Sequence, residues 1–249
     1  IMIFVFDVDG TICFDGQTIE NSIKEAIFKI REHHDVVFAS ARPIRDLLPV
    51  VNEFNGCTLI GGNGSIVSKN DEIEVMDYIS DHDYSFIKKL IKDYSLNYII
   101  DGSFDYSAKI PKDNMIAKQL DPANLAHNIG MDEIRKPIKI ILIGIAEEYY
   151  EKISNLIKAS GDGLSINYHD DERNIDITST GINKYTTFKR LFGETEYIAF
   201  GNDINDYELL KHAQQAHYVS DLIEEVVLKE VEVIKDDVRS IGNLILRYL

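Results

Sequence analysis

Two aspartates, Asp7 and Asp9, follow directly on the apolar run Ile1-Met2-Ile3-Phe4-Val5-Phe6, and Gly10 and Thr11 come next. Carboxylates two residues apart repel each other unless a cation or a shared proton intervenes. A hard cation such as Mg²⁺ takes oxygen ligands of this kind, and Gly10 permits a tight turn beyond them. A solvated acidic turn would have the same residues, so the pair does not decide the matter alone. A second acidic cluster lies far along the chain: Asn202, Asp203, Asn205 and Asp206 follow the apolar run Tyr197-Ile198-Ala199-Phe200.

Two further positions carry chemistry of the complementary sign. Ser40 ends a short apolar run, and its hydroxyl and the free N–H groups after it suit a phosphate, although a serine there also reads as an ordinary helix cap. Arg42, two residues on, either pairs with that phosphate or is a surface charge. Lys184 opens a helix, where the macrodipole disfavours a cation. It is either a solvated lysine or one placed there for function.

The elements that must position these groups alternate between strand and helix. A run apolar on both faces, such as Ile1–Phe6, suits a central parallel strand. Ser22 to Glu25 reads as a capping box opening a helix to about His33. Val36–Ala39 and Thr58–Ile60 are further strands, the latter followed by the turn Gly61-Gly62-Asn63-Gly64. Pro49 predicts a kink or a new helix near Leu48. Lys184–Phe192 is helical, Tyr197–Phe200 a strand, Asp206–Ala213 a helix, Ala216–Val219 a strand and Asp237–Leu249 a helix. This is an α/β pattern with a doubly wound parallel sheet, a Rossmann-like core.

Between about Ser80 and Asn174 the pattern changes. Helices over 83–94 and 147–159, a short helix capped at Asp121-Pro122, and strands over 97–100, 138–143 and 165–168 make an α+β unit of their own. The expected domains are therefore a core of 1–79 with 175–249 and an inserted unit of 80–174.

Composition sets the outer bounds. The 249 residues carry a formal net charge of −16, which excludes nucleic acid and anionic membrane surfaces as natural partners. No apolar run approaches the ~20 residues of a membrane span, and the opening run reads as a strand, not a signal peptide. Two cysteines, Cys13 and Cys57, are too few for a disulfide framework and fit reduced thiols in the cytoplasm. A reactive role for Cys13, six residues after Asp7, is conceivable against the commoner fate of burial.

Taken in order, the four segments resemble the haloacid dehalogenase superfamily. Asp7-Val8-Asp9-Gly10-Thr11 is similar to its first motif, Ser40 to the second, Lys184 to the third, and Gly201–Asp206 to the fourth, usually G-D-x-x-N-D. The inserted unit resembles the large α/β cap of the Cof-type sugar phosphatases. So do Phe38–Pro43, with Ala41 where Gly is commoner, and Gly62-Asn63-Gly64. The resemblance implies a Mg²⁺-dependent phosphatase in which Asp7 attacks phosphorus, Asp9 is general acid and base, and Lys184 neutralises charge. It implies phosphate contacts from Ser40, Gly10, Arg42 and Asn205, and metal ligation among Asp7, Asp9 through its carbonyl, Asn202, Asp203 and Asp206. The departure is Asn202, which stands where the family most often has aspartate and predicts a weaker metal site. The inserted unit would close over the site, with Asp105, Lys109, His169 and Arg173 as candidates for selecting the substrate. The expected enzyme is monomeric and takes a small phosphorylated substrate. A phosphomutase of the phosphomannomutase type and a phospho-aspartate signalling domain are the alternatives.

Overall fold

A computed structural model describes residues 1–221 and 231–249 of the chain. Its elements in chain order begin with β1 (Ile3–Asp7), α1 (Asn21–Arg31), β2 (Asp35–Ala39), α2 (Ile44–Leu47), β3 (Thr58–Gly61), β4 (Ile66–Lys69) and β5 (Glu72–Val75). There follow α3 (Asp81–Asp93), β6 (Asn97–Asp101), β7 (Tyr106–Lys109), α4 (Met115–Gln119), β8 (Lys139–Ile143), α5 (Glu147–Lys158), β9 (Leu164–His169) and β10 (Asn174–Ser179). The last are α6 (Lys184–Phe192), β11 (Tyr197–Gly201), α7 (Tyr207–Lys211), β12 (Gln215–Val219), β13 (Glu232–Ile234) and α8 (Val238–Leu246). The chain divides into two compact units, residues 1–73 with 183–249 and residues 74–182.

The first unit is built on a sheet of order β13-β12-β11-β1-β2-β3-β4-β5. β1 lies between β11 and β2, parallel to both, and all five of its residues are buried. That is why its sequence is apolar without alternation. The register sets Phe6 beside Phe38 and Phe200, and Asp7 beside Ala39. The carboxyl ends of β1, β2 and β11 therefore lie side by side, where the strand order reverses and open α/β sheets hold their ligands. Helix α1 buries Ile23, Ala26, Ile27 and Ile30, the spacing of one helical face. It packs against α8, where a Cβ on Gly242 would already stand 3.4 Å from the Ser22 carbonyl oxygen.

Two local expectations change. α1 starts at Asn21 after Glu20, with no side-chain cap, so Ser22 lies inside the first turn and the box with Glu25 does not form. After α2, whose N-cap is Pro43, the chain leaves the helix at Leu47 and continues in turns past Pro49 instead of starting a second helix. A proline following the last turn stops the helix without a kink.

The second unit has a sheet of order β7-β6-β8-β10-β9, antiparallel at every pairing. Tyr84, Ile87, Leu90 and Ile91 from α3 and Ile153 and Ile157 from α5 share one apolar cluster with Ile100, Ile140, Leu142, Ile175 and Ile177 of the sheet. The chain is thus an α/β core with an inserted α+β unit. The sequence pattern places the return to the core at 175, but β10 pairs with β8 on one side and β9 on the other. Those ladders hold residues 174–179 in the inserted unit. The helix expected after Asp121-Pro122 is absent: Asp121 has φ +45° and its carboxylate accepts the Leu125 and Ala126 N–H groups, closing a turn.

Candidate active site

Asp7 is the last residue of β1 and is 5% exposed. Its Oδ1 accepts a hydrogen bond from Lys184 Nζ at 2.6 Å, and its Oδ2 one from Thr11 Oγ1 at 2.8 Å. The same Lys184 ammonium donates to Asp206 Oδ1 at 2.6 Å. One buried cation therefore serves two carboxylates, from β1 and from the turn after β11. Burial, then the neighbouring charge of Asp206, raises the Asp7 carboxyl to about 7, with Lys184 and Thr11 acting in the opposite sense. Burial alone would lower the Lys184 ammonium, but Asp7 and Asp206 more than offset it and hold it above the ordinary lysine range.

Lys184 is the first residue of α6, held there by two local devices. Asn183 caps the helix, its side chain accepting the Thr186 N–H at 2.9 Å. The turn Gly62–Gly64 also packs against this entry: Thr187 Oγ1 donates to the Gly64 carbonyl at 2.6 Å. Gly64 has φ +106°, and a Cβ on it would come within 2.3 Å of the Asn183 carbonyl oxygen. Only glycine fits both demands. The cation disfavoured by the helix dipole is held by the two carboxylates it faces.

The turn after β11 folds back on itself. Asp206 is fully buried, and its Oδ2 accepts the backbone N–H groups of Asn202 at 3.0 Å and Asp203 at 3.2 Å. Both Asp206 oxygens are thus engaged, one by Lys184 and one by the turn. Gly201 leaves room for this fold, since a Cβ there would stand 2.7 Å from the Asp206 Cβ. Asp203 is exposed and its Oδ1 accepts the N–H of Ile204, which places it at the cap of its own turn. Asn205 has a buried Oδ1 without a hydrogen-bond partner among the described residues.

On the other flank, Ser40 is 1% exposed, and its Oγ accepts the Arg42 N–H at 3.0 Å. The Arg42 guanidinium forks onto the Asp9 carboxylate, Nε to Oδ2 at 2.8 Å and Nη2 to Oδ1 at 2.6 Å, and Nη2 also reaches the Gly16 carbonyl at 2.8 Å. Arg42 is therefore neither a free surface charge nor a free phosphate ligand in this structure. Gly10 has φ +77°, and a Cβ there would lie 2.2 Å from the Asn202 amide. Cys13 is buried, and burial first, then Asp9 and Asp15, raises its thiol to about 11, which makes a nucleophilic role poor.

The donor set suits a hard cation. The Asn202 side-chain amide stands 2.9 Å from Asp7 Oδ2 and 3.1 Å from the Asp9 carbonyl oxygen when its nitrogen faces them. Adjacent oxygens around Mg²⁺, with bonds of about 2.1 Å, are about 3 Å apart. Asn202 Oδ1 is thus spaced from Asp7 Oδ2 and from the Asp9 carbonyl as a neighbouring ligand of such an ion. Among the described residues no group of three or more His, Cys, Asp or Glu converges as a metal site. A carbonyl and an amide would stand where such a group has further charged ligands.

Sequence reasoning gave Thr11 no role of its own, although it donates to Asp7. Its place in the D-x-D-G-T run was the available signal. In the inserted unit, Asp105 accepts the His127 N–H, Arg173 Nε donates to the Ile145 carbonyl, and His169 lies near Asp176, while Lys109 ends β7. No described helix is long and apolar enough to cross a membrane.

A family model described as haloacid dehalogenase-like hydrolase matches residues 4–237. Comparison with curated proteins gives no match. Among solved structures, a haloacid dehalogenase-like hydrolase from Bacteroides thetaiotaomicron is similar with a TM-score of 0.84 at 18% identity, covering 100% of this chain and 99% of that one. TM0651 from Thermotoga maritima gives 0.83 at 20% identity, covering 99% and 97%. A sugar phosphatase of haloacid dehalogenase subclass IIB gives 0.75 at 20% identity, covering 100% and 99%.

Proposed function

The chain belongs to the haloacid dehalogenase-like hydrolases, and from that premise we propose that it is a Mg²⁺-dependent phosphomonoesterase working through an aspartyl-phosphate on Asp7. The observation that carries this reading is the single Lys184 ammonium, 2.6 Å from both Asp7 and Asp206 at the carboxyl end of the central strand. Asp7 is the nucleophile, and it needs no base once ionised. Lys184 spreads the charge that collects when an anion approaches this carboxylate.

The cation would be held by the Asp7 carboxylate, the Asp9 carbonyl and the Asn202 amide oxygen. When bound it supplies positive charge against the repulsion between carboxylate and phosphate. In the first step an Asp7 oxygen bonds to phosphorus while the bond to the ester oxygen breaks, and Asp9 gives its proton to the leaving alkoxide. In the second, Asp9 takes a proton from water as that water attacks phosphorus, the bond to Asp7 breaks and phosphate is released. Arg42 acts through Asp9: its fork fixes the orientation of the carboxylate. Ser40 and Asn205 are the proposed phosphate contacts; the Gly10 N–H is taken instead by the Cys13 carbonyl at 2.9 Å.

A small sugar phosphate is the proposed substrate. Support comes from the sugar phosphatase among the similar structures, together with the excess of negative charge, which suits no polyanionic partner. A monomeric, cytoplasmic enzyme completes the reading. The test is a screen of phosphorylated metabolites with Mg²⁺, reading inorganic phosphate. Release by the wild type and its loss in Asp7→Asn are expected. Transfer of the phosphoryl group back to sugar without net phosphate release would instead mean a phosphomutase.

A further inference from the structure

Asn202 can face the Asp7 cluster in two ways. Nitrogen inward, its amide stands 2.9 Å from Asp7 Oδ2, 3.1 Å from the Asp9 carbonyl and 3.1 Å from Thr11 Oγ1, and its two N–H groups donate among these three acceptors. Oxygen inward, it meets only Thr11 Oγ1 at 3.1 Å, whose one proton it shares with Asp7 Oδ2, and otherwise points at the acceptor oxygens of Asp7 and Asp9. Three oxygens that close repel one another unless a cation lies among them. The nitrogen-inward amide satisfies the cluster with no ion, because an amide offers donors on one side and an acceptor on the other. A half-turn of the amide about its Cβ–Cγ bond exchanges the two arrangements.

We propose that the Asn202 amide stands in for the cation in the metal-free protein and turns over when Mg²⁺ binds. This deepens the phosphatase reading and rests on its placement of the ion. An aspartate at 202 has no donor and cannot fill this role. It would add a third carboxylate to Asp7 and Asp206, which already share the one ammonium of Lys184. Glycine at position 10 is part of the device, since any Cβ there would meet the amide. The sequence thus exchanges metal affinity for a cluster that is intact without metal. With aspartate, metal-free and metal-bound states would differ more in stability. With asparagine they differ less, because each amide orientation satisfies one of them.

Two measurements test this. The first compares the full-length wild type with Asn202→Asp in excess EDTA and then in saturating Mg²⁺. The variant is expected to melt lower by roughly 2–8 °C in EDTA, to be raised more by Mg²⁺ than the wild type, and to bind Mg²⁺ about tenfold more tightly by calorimetry. Equal melting in EDTA with unchanged Mg²⁺ affinity would overturn the proposal. The second uses the wild type alone, following the side-chain amide protons of Asn202 by ¹⁵N-edited NMR, assigned by their loss in the variant. In EDTA these protons are expected to exchange slowly with solvent, and to shift and exchange faster on saturation with Mg²⁺. Signals that stay unchanged while Mg²⁺ binds would overturn the amide turnover and leave the phosphatase reading standing. The expected amide behaviour in a protein that hydrolyses no phosphate ester would support the turnover and overturn the phosphatase reading instead.

Discussion

At the scale of residues, the site depends on one buried cation balancing two buried carboxylates. Removing one member of such a group leaves an uncompensated charge, which costs about 3–5 kcal/mol. Lys184→Ala is therefore expected to melt well below the wild type and to lose phosphatase activity. The double variant Lys184→Ala/Asp206→Asn should regain part of the stability but not the activity. A single variant as stable as the wild type would remove the charge-balance argument. Cys13 gives a pH-dependent expectation. Its thiol is held at about 11 in the folded protein against an ordinary value near 9. A raised folded value means its stabilising contribution is whole below about 9 and is lost as pH rises through about 11. Stability should fall over that window, and Cys13→Ala should show a shallower fall. Native protein should leave Cys13 unlabelled by thiol reagents at pH 8, with labelling appearing on unfolding. The candidate aspartates and the lysine were legible because their types are costly at these places: paired carboxylates after an apolar strand, a cation at a helix start. The Arg42 to Asp9 fork was not legible, since it joins residues 33 apart through side-chain direction alone.

At the scale of elements, three strand ends and one helix start do the positioning, and glycine and asparagine control the approach. The Gly62–Gly64 turn meets the entry to α6 where a Cβ on Gly64 would overlap the Asn183 carbonyl oxygen. Gly64→Ala is expected to cost on the order of 1–3 kcal/mol through the strained φ and the displaced helix start. It should lower kcat more than it raises KM, because Lys184 moves with that helix. Loss of stability with full kcat would show that the helix entry does not position the lysine. Asn183→Ala should cost about 1 kcal/mol by loss of the cap, read from a denaturant midpoint. The buried strands β1, β2 and β11 and the helix α6 were visible in the sequence because burial on both faces leaves continuous apolar runs, and the helix has its 3.6-residue period. The capping box at Ser22 failed because a box pattern does not fix which residue is the cap, and the helix starts two residues earlier, after Glu20. β4, β5, β7, β10 and β13 are not legible in the sequence. β4, β5 and β7 are four residues each and β13 three, too short to show a period, and β10 carries Asn174 and Asp176 amid its buried isoleucines.

For the whole molecule, the order of the four motifs and the long insertion were readable before any coordinates, because spacing along the chain survives where individual contacts do not. The point at which the chain returns to the core was not readable. β10 continues the second sheet by ladder hydrogen bonds, which composition does not announce. The substrate was equally out of reach, since the motif residues treat the phosphoryl group and not the alcohol that carries it. The central claim is that Asp7 itself carries the phosphoryl group during turnover. The most direct measurement is to quench the protein during turnover, reduce any acyl phosphate with borohydride, and map the reduced residue by mass spectrometry. Conversion of Asp7 to homoserine, dependent on both substrate and Mg²⁺, is the expected result. Phosphate release with no modification at Asp7, or with modification at another carboxylate, would contradict it.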